Sequence, residues 1–337
     1  AQPLAAQSDP VRQSQALQAE AHRYVQQLGS ASFAERQAAH HRLLQLRNDA
    51  YDALLQATDD PNVEVRLASR SLLEHLQIRW ARPADSADVA RILDTYGDRQ
   101  IADRAIDIQR LTRLHSAQAR AALARIVRYE PSETLSRRAA ILLLSDLPDS
   151  PRVPLEPETD PSIAAVTREL QGSLRIGICW VRAYLAWRAD PIDGMAQFDP
   201  LVRAEVERVQ PTHTKAHEDR AIALALVRRQ AEMRLASGGE SLDDLTSAFG
   251  TLVDDDEPAI KEHLDWLASL GQLRAIVAWA RQHEDRNRNR PEVLFRVAEA
   301  QRQLGNLESA EATLTLAMES TPRGFEDREA IAHSLHA

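Results

Sequence analysis

Residues 291–322 read PEVLFRVAEAQRQLGNLESAEATLTLAMESTP. Leu294, Val297 and Ala298 fall at i, i+3 and i+4, with Gln301 one turn on, which is one face of a helix. Gly305-Asn306 interrupts that face, because both residues tolerate the left-handed backbone that ends a helix. A second stripe follows in Leu307, Ala310, Leu314, Ala317 and Met318, and Pro322 stops it for want of an N–H. The stretch therefore predicts two helices packed as a hairpin, with alanines where they approach.

The same pattern lies 34 residues upstream, in EPAIKEHLDWLASLGQLRAIVAWARQHEDRNRNR. Gly271 precedes Gly305 and Leu273 precedes Leu307 by that interval. Ile260, Leu264, Leu267 and Ala268 form its first stripe; Leu273, Ile276, Val277 and Ala280 form its second. His283 stands where Ala317 stands in the later copy. This pairing resembles the tetratricopeptide repeat, a 34-residue helix–turn–helix unit. The small residues of that family fall on Ala298, Ala310 and Ala317 and its closing proline on Pro322, while Gln301 replaces the usual aromatic.

Composition agrees with a helical chain. Ala, Leu, Arg, Glu and Gln dominate its 337 residues, aromatics are 4%, and no run alternates like a strand. A net charge of −9 argues against a general nucleic-acid binder. Lysine occurs only at Lys215 and Lys261, which reads as a bias of the coding sequence. Cys179 is the single cysteine and is expected to pack in the core. No apolar run reaches the roughly 18 residues that cross a bilayer. The start at Ala1-Gln2 fits a mature form after signal-peptide removal, so export to periplasm or envelope is expected, with the cytoplasm left open.

Nearer the start, a polar tail and first helix occupy 1–31. Ser32 with Glu35 makes a capping box for the next helix. YDALLQATDDPNVEVRLASRSLLEHL then holds two helices around an Asp-Asp-Pro-Asn turn. It resembles a HEAT repeat through Asp60, Pro61, Val65 and Arg66. With Arg66, Arg104 and Arg137 in register, Ala68, Ile106 and Ala139 align, as do Leu73, Leu111 and Leu144, then Leu76, Leu114 and Leu147. Helical pairs are thus expected over 32–147. A proline cluster (Pro148, Pro151, Pro154, Pro157, Pro161) reads as a linker over 148–161 that separates them from tetratricopeptide-like pairs over 162–337. Within the latter, Trp180 and Trp187 share a face of a buried helix, a further pair spans 213–253, and a capping helix is expected over 325–335.

Chemistry is sparse. His213 and His217 stand at i, i+4 beside Glu218, but Thr214 occupies the place a zinc-protease motif gives to Glu. The run Asp254–Glu257 lacks the alternation of a calcium loop, and Asp256 is better placed as a helix cap. No phosphate loop and no nucleophile elbow is present. The fold expected is all-α: a right-handed α-solenoid of antiparallel pairs, HEAT-like and then tetratricopeptide-like. No catalytic residue, metal or cofactor is expected. The resemblance implies a concave face that holds a protein or peptide partner, reached by Lys261, Asp265 and Ala268 from one repeat and Phe295, Glu299 and Arg302 from the next. A scaffold or adaptor is the first expectation; a structural subunit of an envelope assembly, or the regulatory part of a metal-dependent enzyme, are the alternatives.

Overall fold

A computed structural model describes residues 10–147, 161–209, 216–239, 242 and 245–320. Among them there is no strand, and the chain is all-α. It divides into two compact units between Gly194 and Met195. Residues 1–9, the first four prolines of the cluster (Pro148, Pro151, Pro154 and Pro157), His213, Pro322 and the expected capping helix lie outside the described residues.

The N-terminal unit holds α1 (Pro10–Gln27), α2 (Phe33–Leu46), α3 (Tyr51–Gln56), α4 (Val63–His75), α5 (Ala87–Leu93), α6 (Ile101–Thr112), α7 (Ala117–Tyr129), α8 (Glu133–Asp146), α9 (Pro161–Leu170) and α10 (Ile176–Ala189). Helix starts are written in the sequence. Ser32, Asn62, Ser86, Ser116 and Ser132 each accept a hydrogen bond from a first-turn N–H, a contribution of about 1 kcal/mol apiece. The capping box at α2 differs from expectation: the Glu35 carboxylate accepts from the Ser30 hydroxyl at 2.5 Å, and the Ser32 N–H goes to Ser30 Oγ.

Helix α7 is the axis of this unit. It packs against α5, α6, α8, α9 and α10, and every residue from Ala122 to Glu130 is buried. Its alanines at 119, 122 and 124 permit that close approach. The boundary expected at the proline cluster does not match this packing, because α9 and α10 lie on α7 and α8. Proline marks where a helix cannot run; it does not by itself mark where a core ends. Trp180 and Trp187 are both buried, as their shared face predicts. Cys179 is only half-buried, and Ile106, aligned with the buried Ala139, stays 47% exposed because α6 turns Asp107, Ile108 and Leu111 inward.

The division falls inside α11 (Pro191–Arg208), which carries Pro200 without a break. The C-terminal unit continues with α12 (Ala216–Ala236), α13 (Thr246–Leu252), α14 (Glu257–Ser269), α15 (Leu273–Gln282), α16 (Glu284–Asn287), α17 (Pro291–Gln303) and α18 (Leu307–Ser320). Three of these helices end the same way. Gly238, Gly271 and Gly305 have φ of +91°, +70° and +80°. The residue after each donates its N–H five residues back, Gly239 to Arg234, Gln272 to Leu267 and Asn306 to Gln301. This is the Schellman cap, whose left-handed residue glycine adopts without a Cβ penalty.

The interval also appears as contacts. Arg220 pairs with Asp254, Arg228 with Glu262, and the Trp266 indole N–H with Glu232, each pair separated by 34 residues. Further on, Arg290 meets Asp255, and the Glu292 N–H meets Glu257, at a separation of 35. The partners advance together, so α12 and α14 run side by side, as do α14 and α17. Helix α17 packs on both α14 and α15, and α18 packs on α17. Three expected core positions lie outside it: Ala268 is exposed, as are Leu307 (66%) and Met318 (50%). The face of α18 turned to α17, its main neighbour among the described residues, is that of Ala310 and Ala317. His283 ends α15 early, stacking on Trp279 at 4.5 Å and bonding its carbonyl.

Candidate functional site

The six residues expected to reach a partner lie on α14 and α17. Lys261 Nζ contacts Glu292 at 2.8 Å and Arg296 contacts Asp265 at 2.6 Å, so the α14 pair faces the α17 pair one turn apart along both helices. Phe295, Glu299 and Arg302 continue the α17 side at i, i+4 and i+7. Phe295 is half-buried. Glu299 accepts from Arg302 twice at 3.0 Å and from Gln303 at 2.6 Å, and these bonds hold its carboxyl below the usual range. The Glu292 hydrogen bond likewise holds the Lys261 ammonium above its ordinary pKa. All four charged members thus have partners inside the protein, a detail the sequence reading missed. The resulting surface is a charged ladder flanking one aromatic ring.

His217 is exposed and contacts Asp254 at 3.1 Å. Among the described residues of the unit the buried histidine is His263, with Phe249, Trp266 and Trp279 rings at 4.7, 5.6 and 6.4 Å. Burial first, then the positive charge of Arg228, lowers its pKa to about 3. It is a neutral core residue, and its place three after Ile260 and four before Leu267 is the spacing that puts it on the apolar stripe.

The N-terminal unit holds a second polar constellation that spacing does not reveal. The last turn of α7 buries two arginines, and Glu130 follows it. Arg125 donates to both Asp85 oxygens at 2.9 and 3.1 Å and also to the Trp80 carbonyl. Arg128 donates to Asp52 at 2.8 and 2.5 Å and to the Glu169 carbonyl at 2.8 Å. Glu130 accepts from Tyr96 Oη at 2.7 Å, Arg104 at 2.6 Å and the Ser132 N–H at 2.8 Å. Forked guanidinium groups satisfy carboxylates in two directions at once, which an ammonium does not. The near-absence of lysine therefore has a structural use here, beyond coding bias.

Beside Arg128 opens a cleft of about 480 Å³ walled by the α2 end and by residues 79–82 and 168–171. Its lining includes Arg47, Arg79, Arg82, Arg128 and Arg168 against Asp49 and Glu169. Burial raises the Asp49 pKa, offset by Arg128 and then Arg82. No helix among the described residues is long and apolar enough to cross a membrane. Comparisons with protein-family models, curated proteins and solved structures give no match to this chain.

Proposed function

We propose that the protein is a non-catalytic adaptor that holds a protein or peptide partner on the face shared by α14 and α17. In this reading the helices form a right-handed solenoid of antiparallel pairs, HEAT-like and then tetratricopeptide-like. The observation that carries it is the ladder at 34-residue intervals, joined to the three repeated glycine caps. Together they support a preformed surface whose ordering is complete before a partner arrives, and preorganisation of that kind favours binding over chemistry. Phe295 is the anchor: a half-buried ring amid exposed charges is the composition of an interface hot spot.

Site-specific photo-crosslinkers test this. Placed at Phe295 or Arg302, the crosslinker is expected to capture a partner in native extract. Placed at Arg274 on α15 or Glu311 on α18, both exposed, it captures none. With the captured partner purified, Phe295→Ala weakens binding about tenfold or more, the scale of a hot-spot truncation. Equal capture from all four positions, or none from Phe295 and Arg302, rejects the assignment of the face.

A further inference from the structure

The arginine cleft of the N-terminal unit has a charge balance that folding alone does not explain. Several buried or half-buried arginines of this unit meet carboxylates: Arg104 with Glu130, Arg120 with Asp146, Arg125 with Asp85. Others reach carbonyls or a phenol, as Arg175 and Arg182 do. At the cleft the inner pair meets carboxylates, since Arg82 contacts Glu169 and Arg128 contacts Asp52. The outer three are exposed and meet none. Arg47, Arg79 and Arg168 have no side-chain hydrogen bond or ion pair among the described residues. The lining holds five arginines against two carboxylates, on a chain whose net charge is −9. Like charges converging on one concavity oppose folding, and a low-dielectric wall strengthens the effect.

A backbone feature agrees. Arg47 adopts φ +50° and ψ −123°, one of two non-glycine residues with positive φ among the described residues. Such a conformation is strained for a residue with a Cβ, and strain of this kind gathers at ligand sites. Here it falls at the end of α2, on the cleft wall.

We propose that this cleft binds a small phosphate-bearing anion, with Arg47, Arg79 and Arg168 as the groups that close on it and Arg82 and Arg128 as the fixed floor. The volume of about 480 Å³ is that of a small-molecule site. A lone carboxylate is planar, carries one charge and is satisfied by one guanidinium fork. A phosphate group carries nearly two charges and offers oxygens in several directions, which suits forks arriving from three chain segments. The Asp49 carboxylate in the lining sets a limit on affinity, because it opposes any anion that enters.

Calorimetric titration of the full chain with pyrophosphate, and separately with citrate, at low salt and at about 0.15 M salt tests the proposal. Pyrophosphate is expected to bind at one site per chain and to outcompete citrate at both salt concentrations. Arg79→Glu and Arg168→Glu, both at exposed positions, are each expected to weaken pyrophosphate tenfold or more with unchanged circular dichroism. Asp49→Asn is expected to tighten it several-fold, a gain that general unfolding cannot produce. No binding of either probe overturns the proposal, as does binding that the two arginine variants leave intact. Tighter citrate than pyrophosphate overturns the phosphate assignment. A supplementary titration with vesicles bearing phosphorylated headgroups separates sources: binding of vesicles but not pyrophosphate excludes the small-molecule ligand.

Discussion

Glu130→Ala is expected to destabilise the N-terminal unit by about 3–5 kcal/mol, the cost of breaking a buried ion pair from one side. The carboxylate is fully buried and accepts from Tyr96, Arg104 and the Ser132 N–H. Removing it leaves a guanidinium and a phenol facing a void from which water is excluded. In the parent protein burial, and then Glu130, push the Tyr96 pKa far above the ordinary value, so the phenol stays a neutral donor to the carboxylate. Glu130→Gln keeps the size and one acceptor oxygen but turns an amide N–H₂ toward the donors, so its loss is intermediate. The variant that isolates the cause is Glu130→Leu with Arg104→Met, in which both charges go. It is expected to recover most of the loss, because apolar replacement of a whole buried pair is often neutral. Urea unfolding followed by tryptophan fluorescence reads the effect, with Trp80 only 4.8 Å from the Tyr96 ring. A Glu130→Ala loss below about 1 kcal/mol means that the network contributes no more than an exposed pair.

The second large effect is a dependence on pH. His263 is buried and neutral in the folded protein, with a pKa of about 3, against about 6.5 in an unfolded chain. Between those values the unfolded state holds a proton that the folded state lacks, so the stability of the C-terminal unit falls as pH drops from 6.5 toward 3. The full displacement corresponds to about 5 kcal/mol at the acid end. Carboxylates titrate in the same range, so the control is His263→Phe. Neither ring nitrogen of His263 has a partner among the described residues, and its neighbours are Phe249, Trp266 and Trp279. Phenylalanine therefore leaves no donor stranded. The variant is expected to match or exceed the parent at pH 7 and to show a flatter acid limb in thermal melts at pH 4–7. An unchanged acid limb in His263→Phe contradicts the assignment of His263 as a buried neutral residue.

What was legible in the sequence was local. Gly271 and Gly305 announce left-handed caps because only the 34-residue interval and glycine's missing Cβ are needed to see them. Asp256 before Glu257-Pro258 announces a helix start, and its carboxylate does accept the Ala259 N–H at 2.8 Å. Stripes at 3.6-residue spacing locate helices well, yet they say which side is apolar, not whether a neighbour covers it. Leu307 and Met318 sit on such a stripe and remain exposed. Contacts made across the chain were not legible. Arg128 finds Asp52 across 76 residues and Arg125 finds Asp85 across 40, distances over which no periodicity operates. The same limit hid the cleft, whose arginines come from four separate stretches. It also misplaced the boundary, because the packing of α9 on α7 spans the proline cluster. The interaction face was half legible. Spacing picked the positions, but it did not foresee that Lys261 and Asp265 would pair with Glu292 and Arg296.

The functional reading rests on α14 and α17 lying side by side, with Lys261 and Asp265 facing Glu292 and Arg296 at a separation of 31 residues. Lysine makes that directly measurable, because the chain has only Lys215 and Lys261. A zero-length carbodiimide reagent joins an amine to a carboxylate already in contact. Treated in solution and read by mass spectrometry of the digest, the protein is predicted to yield an isopeptide between Lys261 and Glu292, 2.8 Å apart, which Glu292→Gln abolishes. Coupling of Lys261 to carboxylates outside α14 and α17, with no Lys261–Glu292 product, contradicts the register and with it the shared face.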